Sequence, residues 1–123
     1  MKIFVFGNED LKIDSLPPRI LPQLRKKFPE IEFVTIDPNE EWDVPENLTV
    51  IDTAVGIKDV TVFDGPEKFS APPRVSMHDF DALTNLRLLQ KIGKIKKIKI
   101  IAMPPDISKS EAVEKIAEIL QKI

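Results

Sequence analysis

Apolar positions recur along the chain with two distinct periods, and the switches between them mark out its elements. Residues 2–6, KIFVF, are a short apolar run closed by Gly7, which predicts a first, central strand. Beyond Ser15, the apolar residues Ile20, Leu21, Leu24 and Phe28 recur at helical spacing. Ser15 is placed to cap this helix, and Pro17 and Pro18 suit its first turn. Pro22 must also fall within the first turn or it kinks the helix. Residues 31–36, IEFVTI, supply the next strand after Pro29. Residues 48–55, LTVIDTAV, are apolar, β-branched or Thr except for Asp52, the pattern of a strand buried in a mostly parallel sheet. A turn at 57–59 leads to a short strand at 60–63, expected antiparallel on the sheet edge.

A proline-marked loop over 64–75 comes next, and Ser76-Met77-His78 leads into a helix ending near Ile92. Its inward face is Ala82, Leu83, Leu86, Leu89 and Ile92, and Gly93 stands where a helix stop belongs. Residues 97–103, KIKIIAM, form the last strand. Ser108 or Ser110 then caps a helix whose Val113, Ile116, Ala117, Leu120 and Ile123 make an apolar stripe opposite Glu111, Glu114, Lys115, Glu118 and Lys122. The order β, α, β, β, β, α, β, α predicts an α/β fold. It is a three-layer sandwich, with a mostly parallel twisted sheet of about five strands and helices on both faces. A chain of 123 residues fits one domain over 1–123.

Composition narrows the function classes. The 18 basic and 20 acidic residues nearly cancel, so a net charge of −2 gives no footprint for nucleic acid. The lysines of 91–99 alternate with Ile92, Ile95, Ile98 and Ile100, as on a solvated turn and strand edge. The absence of cysteine excludes disulfides, thiolate zinc sites and cysteine nucleophiles, and leaves any metal to oxygen and imidazole ligands. No apolar stretch is long enough for a membrane span, and MKIFVFG lacks the features of a signal peptide, so a cytoplasmic location is expected; a monomer is expected separately. Trp42, the single tryptophan, lies in an acidic connection and is expected to fold back onto the domain.

Three side chains stand where strands end or following helices begin: Asp14, Asp52 and His78, the only histidine. Right-handed crossovers bring such ends to one side of an open α/β sheet, the side where ligands bind. Two carboxylates and an imidazole suit a borderline divalent ion such as nickel, zinc or iron, with coordination positions left open. The same residues allow blander roles, an acid capping a loop and an incidental histidine, and one further catalytic reading, a general aspartic-type hydrolase with Asp14 and Asp52 as a dyad, which gives His78 no role.

Four segments carry a resemblance that spacing alone does not. KIFVFGN with Asp14 six residues after Asn8, VIDTAVG, SMHDFDALTNLRLL and KIIAMPPDI follow one another in this order. The chain thereby resembles, nearly end to end, the nickel-iron hydrogenase maturation endopeptidases, small α/β proteases. These remove the C-terminal extension of a hydrogenase large-subunit precursor after nickel insertion. The resemblance implies that Asp14, Asp52 and His78 are at once the catalytic and the metal-reading residues. It further implies nickel supplied by the precursor rather than a permanent cofactor, and that precursor as partner. Two positions depart from the family. Ile13-Asp14-Ser15 stands where two adjacent acids and a glycine are usual, and Asp37-Pro38-Asn39 replaces a Gly-Gly-Thr type loop implicated in substrate reading. A non-catalytic assembly or metal-binding module of the same fold is the alternative function.

Overall fold

The computed structural model describes residues 2–7, 15–36, 43–64, 76–77, 88–89 and 91–122. Among the described residues there are six strands: β1 (Lys2–Val5), β2 (Glu32–Thr35), β3 (Asn47–Val55), β4 (Thr61–Phe63), β5 (Ser76–Met77) and β6 (Lys97–Met103). The helices that lie wholly among the described residues are α1 (Leu16–Lys27) and α2 (Lys109–Gln121), and Leu88, Leu89 and Lys91 are also helical. The sheet order is β2-β1-β3-β6-β4, with β5 paired to β3 off this path. Pairings β1–β2, β1–β3 and β3–β6 are parallel, whereas β4–β6 and β3–β5 are antiparallel. The α/β sandwich with a mostly parallel sheet is therefore the fold, and β4 takes the antiparallel edge position expected of it.

Strand side chains alternate between faces, and the buried residues accordingly divide into two cores. On one face Ile3, Val5, Phe33, Ile51, Ile101 and Met103 meet Ile20 and Leu24 of α1 and Val113, Ile116 and Leu120 of α2. On the other, Phe4, Phe6, Leu48, Val50, Ala54, Ile98, Ile100 and Ala102 are joined by Ile95 and Leu89. Beyond their amino ends, where Asn47 and Lys97 are exposed and Thr49 and Lys99 half-buried, β3 and β6 are buried on both faces, which is why these strands read as near-continuous apolar runs.

Helix ends follow local chemistry with one exception. Ser108 caps α2 by accepting from the Glu111 N–H at 3.2 Å, half of a capping box. Gly93, at φ +85°, lets the Lys94 N–H return to the Leu89 carbonyl at 3.0 Å, a Schellman closure. The chain turns so sharply there that Ile92 is left 58% exposed and Ile95 takes the buried place, correcting the inward position expected for Ile92. The exception is α1. Ser15 is its N-cap residue, but its side chain makes no capping hydrogen bond, and Pro22 lies inside the helix rather than in its first turn. The apolar face of Ile20, Leu21 and Leu24 holds the helix in place despite the missing Pro22 N–H.

The turn before β4 is tied to α2. Asp59 accepts from the Val60 N–H at 2.8 Å and from the Lys115 ammonium. The Lys115 hydrogen bond, then the Val60 N–H, holds the Asp59 carboxyl below its ordinary value, and the same bond raises Lys115.

Candidate functional site

Asp52 occupies the C-terminal half of β3, at the point where β1 stops pairing. The β1–β3 register ends at Val5 opposite Ile51, followed by one rung from the Phe6 N–H to the Ile51 carbonyl at 2.9 Å. Asp52 is the next residue along β3, with Ala102 of β6 opposite it on the other side. β1 is flanked by β2 on one side and β3 on the other, so the strand order reverses between β1 and β3. This is the switch point beside whose carboxyl ends open α/β sheets bind ligands.

The carboxylate does not project freely from that edge: Asp52 is 2% exposed. By alternation, the Thr53 N–H points towards β1, past the last rung of their ladder. The Asp52 Oδ1 accepts that N–H at 2.7 Å, so the acid completes the hydrogen bonding of a strand whose neighbour has ended. Thr53 itself is fully buried, and among the described residues its Oγ1 meets no hydrogen-bond partner. Sequence pattern gave no sign of this hydroxyl, because a Thr in a β-branched run looks like any strand residue.

Asp14 and His78 lie outside the described residues, so the structure neither brings them to Asp52 nor separates them from it. Their described chain neighbours are informative. Met77 pairs with Ala54, two positions beyond Asp52, and Ser76 pairs with Val55. Sequence reading assigned Ser76 and Met77 to the approach to a helix, since a two-residue strand has no period to detect. Ser15 is buried at the start of α1. A helix joining the parallel strands β1 and β2 starts at their carboxyl end, the end at which Asp52 sits. The loop at Asp37, Pro38 and Asn39 and the Trp42 position also fall outside the described residues.

Among the described residues, no group of three or more His, Cys, Asp or Glu side chains could hold a metal ion. No helix among them is long and apolar enough to cross a membrane. A groove of about 700 Å³ runs between α1 and α2, lined by Gln23, Lys27, Lys109 and Glu118 among others. Another, of about 490 Å³, lies at the amino ends of β3 and β6 beside Lys96, Lys97 and Lys99. Neither is lined by Asp52. Comparison with known family models, characterised proteins and solved structures gives no match.

Proposed function

We propose that this chain is an endopeptidase of the nickel-iron hydrogenase maturation type. It would cut the C-terminal extension from a large-subunit precursor once nickel is in place, with Asp14, Asp52 and His78 reading the metal. The observation that supports this most is the buried Asp52 at the switch between β1 and β3, with the residue before His78 paired two positions further along β3. Nickel belongs to the substrate here. Its open coordination positions accept carboxylate oxygen and imidazole nitrogen, so a loaded precursor is held and an empty one is not. Hydrolysis breaks the peptide C–N bond with one water. The bound nickel polarises the scissile carbonyl or that water, or a carboxylate acts as general base.

The test is a gel assay of a nickel-loaded precursor with Asp52→Ala and His78→Ala. Both variants should fold and leave the precursor uncut; normal cleavage by the two of them sinks the proposal. A second function, a binding module that holds a precursor without cutting it, is favoured by the engagement of Asp52 Oδ1 with the Thr53 N–H. Wild-type protein that retains loaded precursor on a column yet never shortens it would select this alternative.

A further inference from the structure

The Ile36 N–H donates to the Val5 carbonyl at 3.0 Å, so even-numbered residues of this strand direct their backbone groups at β1. Alternation then turns the N–H and C=O of Phe33 and Thr35 outward. β2 ends the sheet order on that side, so these groups form its rim among the described residues. Such a rim invites another strand unless something covers it. Here Arg25, in the last turn of α1, donates from Nη2 to the outward carbonyl of Phe33 at 3.2 Å.

We propose that Arg25 is an edge guard that prevents β2 from pairing antiparallel with β2 of a second copy of this chain. The edge is self-complementary. A two-fold axis at Val34 sets Phe33 of one copy opposite Thr35 of the other, twice, and each such pair exchanges both its N–H···O bonds. The same register places Glu32 opposite Ile36, so no like charges oppose the match. Residues 33–36, FVTI, are uncharged and β-prone. The guard acts twice at this symmetric seam. Its guanidinium stands over the Phe33 carbonyl that each pair needs, taking one of that oxygen's two lone pairs and the space a partner strand would fill, and pairing would bring two guanidinium groups towards one seam.

Light scattering after size-exclusion chromatography tests this over a range of concentrations. Wild-type protein should elute at the 14.0 kDa mass of one chain. Arg25→Met, which keeps the aliphatic stem and loses donor and charge, should shift to twice that mass as concentration rises. Exchange of the Thr35 amide should slow in step. Arg25→Lys should behave as wild type. Because Arg25→Met could associate through another surface, Arg25→Met with Thr35→Pro is measured too. Proline removes the outward N–H without disturbing the β1 side, and it should restore the single-chain mass. A single-chain mass for Arg25→Met at every concentration, or a doubled mass persisting with Thr35→Pro, overturns the proposal. So does wild-type protein already doubled with a protected Thr35 amide.

Discussion

Replacing Asp52 by asparagine and by alanine separates what its oxygen does for the fold from what its charge does. Alanine removes the acceptor that sits 2.7 Å from the Thr53 N–H and leaves that donor stranded in a buried strand. A buried donor without an acceptor costs about 1–3 kcal/mol. Asparagine keeps an oxygen in the place of Oδ1 at nearly the same volume, but a neutral acceptor holds the bond about half as strongly as a charged one. The alanine variant should therefore be less stable than the asparagine variant by roughly 1–2 kcal/mol. With an unfolding entropy near 2.1 cal/mol/K per residue over 123 residues, this separates their midpoints by about 4–8 °C. Thermal melts followed by circular dichroism read the difference directly. Coincident melts would show that the hydrogen bond to Thr53 contributes nothing and that β3 does not rely on its acid. Should asparagine melt above wild type, burial of the carboxylate costs stability, as expected of an acid retained for function.

Three further outcomes follow from the local geometry. Pro22→Ala restores the N–H that would donate to the Pro18 carbonyl at an exposed position of α1, and should raise stability by about 2 kcal/mol; a lowered urea midpoint would refute this. Gly93→Ala should lower stability by about 1–2 kcal/mol through its φ of +85° alone, since the added Cβ meets nothing within 4 Å. Gly93→Asn should lose less, and equal urea midpoints for the two variants would argue against backbone strain as the cause. The Asp59–Lys115 bond gives a small pH dependence, because both groups are substantially exposed. Its Asp59 part is present above the ordinary value of 3.8 and lost as pH falls through the lowered folded value. Its Lys115 part is present below 10.5 and lost as pH rises through the raised one. Urea midpoints of wild type and Asp59→Asn should accordingly converge in acid and at high pH; a constant gap across the range would exclude the pair as its source.

The candidate site was legible in proportion to how local its determinants are. Asp52 stood out because one acid interrupts a run of apolar and β-branched residues, and burial of that strand on both faces turned the interruption into a buried carboxylate. That Oδ1 would be taken by the next residue's own N–H was not readable, since it depends on where β1 stops. Arg25 gave no signal either. On the sequence it is one of three basic residues closing a helix, and only the placement of α1 beside the β2 rim gives its guanidinium the Phe33 carbonyl.

By itself the chain determined its elements: the apolar runs of β1, β3 and β6, the helical stripe of α2 with its Ser108 cap, and the Gly93 stop. Each is decided by residues within a turn or two of one another, through period, capping and the freedom of glycine to take a positive φ. Tertiary structure alone decided the order β2-β1-β3-β6-β4, the pairing of Ser76 and Met77 with β3, the exposure of Ile92 and the tolerance of Pro22 inside α1. Those outcomes depend on which surfaces meet across the sheet, and burying an apolar face there outweighs a lost hydrogen bond or a weak local preference.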